Sequence, residues 1–396
     1  MIETKVSYIL SHPIQYFSPL FKELASIPGV NLCVYYCSNP GEFQMADKGF
    51  GKQIYWDLPL LDGYHSVFLR NVSPVPSIDN RFWGLINPGI VSALVMDRSD
   101  IVIVHGWSCF TNYLAVIAAR ILGKKVWLRG ENPLNQEILK PVFLRFLKKI
   151  VLQYGLFKLI SRFLYIGRQN RDFYAYYCVE SSNLVYAPYA VDNVFFSAQA
   201  DRLRSDRLAL RKKYNLPVES VIFLFSGKYI IKKRPMDLLK AYARLHGQPV
   251  ALVMVGEGEL RIEMENYIDQ EGLKNVFLGG FINQSEISNF YALADVFVLP
   301  SGSGETWGLV VNEAMLFHLP VIVSATAGCA VDLVRHGENG FVYEEGNIEQ
   351  LTSFMQSFVV DIEFRERAGN QSRAIVEQFD YSVMIDNIES EINRIK

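Results

Sequence analysis

Two glutamates, Glu305 and Glu313, flank a short glycine-rich run in SGSGETWGLVVNEAM, residues 301–315. The apolar run before it, DVFVLP, reads as a strand buried in a parallel sheet, and glycines after such a strand let backbone come close to a ligand. WGLVVNEAML then reads as a helix beginning near Trp307, with Leu309, Val310 and Ala314 able to face the sheet. The carboxylates are therefore expected at a strand end and on the first turns of a helix, where open α/β sheets bind ligands. A solvated acid pair beside a helix cap is the other reading.

A site of this kind needs a scaffold of alternating strands and helices, and the sequence supplies one twice. KVSYIL, NLCVYYC, DIVIVHG and KKVWLRG alternate with helical patterns such as FSPLFKELASI and NYLAVIAARIL. A second series runs through SVIFLFSG, VALVMVGEG, NVFLGG, DVFVLP and PVIVSA, with RPMDLLKAYARL and QSEISNFYALA between strands. Strand–helix–strand order implies right-handed crossovers and doubly wound parallel sheets, hence an α/β protein of two Rossmann-like domains. Proline and AVDN interrupt the periodicity at residues 188–194, which places the domains at 1–192 and 193–379. The final pattern, about 380–396, reads as a separate helix able to pack back on the first domain.

Composition narrows the function. A length of 396 residues suits two domains, and a formal charge of −2 supplies no global basic field, so nucleic acid is not an expected partner. The five cysteines, Cys33, Cys37, Cys109, Cys178 and Cys329, are odd in number and scattered, as in a reducing compartment, and the location expected is cytoplasmic. Cys33 and Cys37 lie on an apolar run with no Cys/His quartet of zinc spacing, so buried thiols rather than metal ligands are expected. The start MIETKVSYIL reads as a first strand rather than an export signal, and no apolar run is long enough to span a bilayer.

The ordered phrases SGKYIIKKRPMDLLKA, LVMVGEGEL, VFLGGFINQSEISNFYALADVFVLPS, ETWGLVVNEAMLFHLPVIVS and LVRHGENGFVY resemble the retaining enzymes of glycosyltransferase family four. The resemblance covers essentially the whole chain, most strongly Val221 to Tyr343, and implies a GT-B fold with two domains facing a central cleft. It implies a nucleotide diphosphate sugar as donor substrate and no bound cofactor; with no Asp-x-Asp motif, a metal-independent reaction is expected. Unpaired amides and partial positive charge at a helix start suit that diphosphate. Glu313, about 9 Å along a helix starting near Trp307 at roughly 1.5 Å per residue, would then accept two ribose hydroxyls. Glu305 would lie by the transferred sugar, with Thr306, Trp307, Gly308 and Leu309 completing the donor site. Lys228 and Lys233 match the family's cationic positions and would neutralise the diphosphate as it leaves, whereas Lys232 and Arg234 read as surface charges. Gly227 and Gly256 would lie near the nucleotide, and Phe281 and Ile282 would hold the base, although a packed loop explains these two almost as well. VGEGE lacks the third glycine of a dinucleotide fingerprint.

The first domain departs from the family. Its opening loop, SHPIQYFSP, has no glycine and offers His12, Gln15 and Tyr16. The strand that in many relatives ends in histidine reads VWLRGENP, offering Arg129, Glu131 and Asn132, while His105 stands one strand earlier. His12, Gln15, His105, Arg129 and Glu131 are the acceptor-side candidates, against ordinary strand-end roles. Residues 139–164, LKPVFLRFLKKIVLQYGLFKLISRFL, contain no acid and interleave cations with Phe and Leu. They suit a helix on an anionic bilayer, giving peripheral attachment, and equally a helix with one apolar face.

The reading is a retaining glycosyltransferase acting on a glycan or lipid-linked acceptor in cell-surface polysaccharide synthesis. A GT-B sugar-nucleotide epimerase or hydrolase, and a catalytically silent sugar-nucleotide-binding subunit, are the alternatives.

Overall fold

Runs rich in β-branched and aromatic residues form the strands of a computed structural model that describes residues 3–39, 59–79 and 82–395. The first seven are β1 (Thr4–Leu10), β2 (Val30–Tyr36), β3 (His65–Phe68), β4 (Ile101–His105), β5 (Lys125–Arg129), β6 (Arg162–Tyr165) and β7 (Leu184–Tyr186). They form one parallel sheet in the order β3-β2-β1-β4-β5-β6-β7. The next six are β8 (Val221–Ser226), β9 (Val250–Val255), β10 (Val276–Leu278), β11 (Val296–Leu299), β12 (Val321–Ser324) and β13 (Gly340–Tyr343). Their sheet is also parallel, ordered β10-β9-β8-β11-β12-β13. β8 and β9 are buried at every residue, as strands covered by helices on both faces must be.

The chain divides into two units. One holds the described residues up to Pro188 together with those from Tyr381 onward; the other is Tyr189–Asp380. Tyr189 falls in the second unit, its ring 5.9 Å from that of Trp307.

In the first unit, alternation along the strands sorts the helices. Val102, Val104, Val126 and Leu128 share a core with the Gly89–Asp97, Phe110–Ile121 and Arg168–Tyr176 helices. Tyr8 points the other way, its ring 4.8 Å from Phe21 on the Ser18–Ser26 helix. The last helix, Tyr381–Ile395, closes the same unit through Met384 at 3.2 Å from Arg129, through Asn387 donating to the Tyr186 carbonyl, and through a Glu391 ion pair with Arg162.

The acid-free segment is not one helix, contrary to the expectation above. An α-helix, Val142–Lys149, passes into a π-helical turn, Ile150–Gly155, and a 3-10 turn, Leu156–Leu159, before β6 begins. The wider turns end at Gly155, and Leu152, Leu156 and Phe157 drop into the core. Lys148 also turns inward: its Nζ lies 2.8 Å from Glu137 Oε2 and 4.8 Å over the Phe173 ring. Burial raises the Glu137 pKa, but bonds from Lys140, Lys148 and Tyr177 outweigh it and hold the carboxyl below its ordinary range. Lys148→Glu, which sets a second acid beside this buried one, is expected to destabilise the fold by about 3 kcal/mol. Lys149→Glu should cost less than about 1 kcal/mol. Urea unfolding of the two variants separates them, and equal midpoints would refute the inward role of Lys148.

Candidate functional site

In the second sheet the chain runs outward from β8 to β9 and β10, then returns to lay β11 on the other side of β8. Loops leaving the carboxyl ends of β8 and β11 therefore diverge, and crevices at such switch points are where open α/β sheets take ligands. Lys228 and Lys233 leave β8; Glu305 through Leu309 leave β11.

The structure brings two of these together. Lys233 Nζ donates to Glu305 Oε2 across that divide. Glu305 is buried, which alone would raise its pKa, but Lys233 and Lys232 override burial and hold it below its ordinary value. Lys232 is thus no mere surface charge. Although exposed overall, its ammonium is pushed below its usual range by desolvation and by Lys233 and Lys228, against the attraction of Glu305. Arg234 is not a free surface charge either, since it pairs with Asp237 at 2.5 Å and Glu345 at 3.1 Å. Glu345 in turn accepts from Thr326 Oγ1 at 2.7 Å. Lys228 lies half-buried on the same loop.

Gly227 flanks the pair: a Cβ built there would lie 3.8 Å from Lys233 Cδ. Gly256 has a packing reason to be glycine, because a Cβ would fall 1.8 Å from the Gly227 carbonyl oxygen, and its φ is +149°. The two turns thus touch backbone to backbone, and Gly256 N–H donates to Gly280 O at 2.7 Å. Phe281 and Ile282 follow on the half-buried loop before the Gln284–Leu293 helix, which Asn283 caps.

The helix after β11 starts later than the sequence suggests, at Val310, and ends at Leu316. Gly308 has φ +103°, outside the helical region, and a Cβ there would meet Leu299 Cδ2 at 2.6 Å. Val311, Ala314 and Met315 face the core, whereas Leu309 and Val310 are half-buried. Glu313 consequently sits in the first turn, about 6 Å rather than 9 Å beyond the cap. It is buried, and Tyr291 Oη donates to its Oε2 at 2.6 Å. Trp307 is buried too, its indole N–H donating to Asn312 Oδ1 at 2.9 Å. Among the described residues, the amides of Thr306, Trp307, Gly308 and Leu309 donate to no protein acceptor. Four consecutive amides beside an ion pair can bind hydroxyls and phosphate oxygens.

The first sheet has its own switch point, between β1 and β4. His105 ends β4, with Nδ1 3.3 Å from Tyr8 Oη and Nε2 3.0 Å from Glu131 Oε1. Arg129 is buried at the end of β5, its Nε 3.9 Å from Glu131 and its guanidinium 5.3 Å over Phe17. These three candidates form one cluster. His12 lies on the loop after β1, bonded through Nδ1 to Ser11 Oγ at 2.9 Å, and Gln15 follows with Oε1 buried.

Sequence reasoning missed Tyr291, Lys232 and Glu345. A pair of adjacent lysines was a visible signal for Lys232; nothing local marks Tyr291, whose partner is set by the packing of two helices.

Among the described residues, no group of three or more His, Cys, Asp and Glu side chains could hold a metal ion, and no helix is long and apolar enough to cross a membrane.

Over the whole chain the architecture is that of the GT-B class, two doubly wound Rossmann-like units. HepE from Anabaena, solved with UDP and glucose, superposes with a TM-score of 0.73 at 17% identity over 99% of this chain and 100% of its own. Sucrose-phosphate synthase from Thermosynechococcus elongatus gives 0.75 at 17% identity, covering 99% of each chain. Residues 206–375, within the second unit, match the family Glycosyl transferases group 1. The chain is 32% identical over 194 residues to sulfoquinovosyl transferase SQD2 of Arabidopsis thaliana, which is 48% of this chain and 36% of that one. It is 28% identical over 201 residues to the capsular polysaccharide biosynthesis glycosyltransferase CapM of Staphylococcus aureus, 49% of this chain and 52% of that one. The chain thus spans about half or less of the length of these curated relatives.

Proposed function

We propose that the protein is a retaining, metal-independent glycosyltransferase of family four that moves a sugar from a nucleotide diphosphate donor to a glycan or lipid-linked acceptor in polysaccharide synthesis. The observation that carries this reading is the Lys233–Glu305 pair spanning the β8/β11 divide beside four amides that, among the described residues, donate to no protein acceptor. Bound there, the donor diphosphate would sit against Lys228, Lys233 and the amides, with Lys232 adding charge nearby. Negative charge grows on the diphosphate as the glycosidic C–O bond breaks, and groups already in place stabilise that charge without reorganising. The acceptor oxygen would attack the anomeric carbon from the face the diphosphate leaves, and a diphosphate oxygen would take the acceptor's proton. Glu305 would hold the sugar's hydroxyls and, by pairing with Lys233, fix the ammonium where the diphosphate needs it. Glu313 would take the ribose hydroxyls, oriented by Tyr291. Gly227 and Gly256 would admit the nucleotide closely, and Phe281 and Ile282 would bound the base.

On the acceptor side, His105 and Glu131 would bind hydroxyls, with the buried Arg129 holding Glu131 in place and His12 and Gln15 beside them. UDP-sugars are the first donors to test, because the neighbour HepE was solved with UDP and with UDP-glucose. Titration calorimetry with UDP, GDP, ADP and TDP, followed by turnover with the sugars of the preferred base, should show one base bound at least about tenfold more tightly. The product's anomeric configuration, read by NMR, should match that of the donor. Donor consumption at full rate without acceptor would point to an epimerase or hydrolase, and an inverted product would refute retention.

A further inference from the structure

The Val142–Lys149 helix is amphipathic the wrong way round for a protein in water. Its cationic side faces the fold, where Arg145 Nη1 donates to Tyr176 Oη at 3.2 Å and Lys148 is held by Glu137. Its apolar side faces out, with Val142 72%, Phe143 67% and Phe146 59% exposed, and Tyr154 on the following turn is 68% exposed. A surface helix ordinarily does the reverse, and a contiguous exposed apolar face marks a partner. On the Phe110–Ile121 helix of the same unit, Ile117 and Ile121 are likewise exposed, with Arg120 beside them in sequence.

Charge decides the partner. No acidic residue occurs in 101–130 or in 138–171, so the charges these stretches expose, among them Arg120, Lys149 and Lys158, are all positive. A second copy seated on this face would bring cation against cation, whereas an anionic lipid surface accepts both the apolar side chains and the basic rim. We propose that this face of the first unit docks on an anionic bilayer, inserting Val142, Phe143, Phe146 and Tyr154 between headgroups while Lys149 and Lys158 contact them. Lys148 takes no part, being committed to Glu137. This stands apart from the donor reading, for a protein that turned over no sugar nucleotide would still bind.

The test is co-sedimentation of the full chain with vesicles of phosphatidylglycerol or of phosphatidylcholine. Wild type should sediment with phosphatidylglycerol at low salt and less at high salt. Phe143→Ser with Phe146→Ser, both exposed and outside the core, should cut the partition coefficient at least about tenfold. Lys149→Glu with Lys158→Glu should remove the salt-sensitive part. Wild type remaining in the supernatant, the Phe variant sedimenting undiminished, or equal binding to phosphatidylcholine overturns the proposal. A wild-type dimer in sedimentation equilibrium that the Phe variant dissociates would also overturn it, by assigning the face to a second copy.

Discussion

Replacing Lys233 with methionine is expected to lower kcat about 100- to 1,000-fold while donor affinity falls less than about tenfold. The difference follows from where the ammonium sits. In the proposed donor complex the diphosphate charge would already be partly met by Lys228, Lys232 and the four amides, whereas the charge added on bond cleavage would fall to Lys233. Lys233→Arg keeps the charge but not its compact geometry and should lie between the two. The folded state bears on the control. Because Glu305 is held below its usual pKa, the stability it contributes is complete above about pH 4.5 and is lost as pH falls through its lowered value. Without Lys233 that window moves upward, with Lys232 still holding part of the shift, so assays belong near neutral pH. A rise in KM with kcat unchanged would show that Lys233 binds donor without assisting departure.

Glu313→Ala should weaken nucleoside diphosphate binding about tenfold to 150-fold, corresponding to roughly 1.5 to 3 kcal/mol for hydrogen bonds to a charged acceptor. The variant also leaves the Tyr291 hydroxyl buried without its acceptor, at a further cost of about 1 to 3 kcal/mol to folding. Tyr291→Phe separates these effects, since it keeps the carboxylate and removes only the group orienting it. Its loss of affinity should be near fivefold, about 1 kcal/mol. Calorimetry finding unchanged affinity for a folded Glu313→Ala protein would remove the residue from the ribose site.

The strands were legible because each is a short apolar run bounded by turn residues, and DVFVLP and VALVMV need no partner to be recognised. The start of the helix carrying Glu313 was not, because Gly308 is permissive and nothing in the neighbouring residues marks the non-helical φ it takes. Lys233 and Glu305 were each visible by motif, but their pairing across 72 residues depends on β8 and β11 being neighbours. The inward turn of Lys148 was hidden for a similar reason: residues 139–164 hold no acid to pair it with, and its partner Glu137 lies just outside that window. The first-unit cluster of His105, Arg129 and Glu131 emerges only when β4 and β5 lie side by side.

The return of Tyr381–Ile395 to the first unit has a temporal meaning. Synthesis runs from one end, so Tyr189–Asp380 is made while the earlier unit still lacks the helix that engages Arg129, Arg162 and Tyr186. The part made first is finished last: the helix that follows Asp380 must emerge before the buried Arg129 meets Met384, and until then the second unit can mature ahead of the strands that precede it.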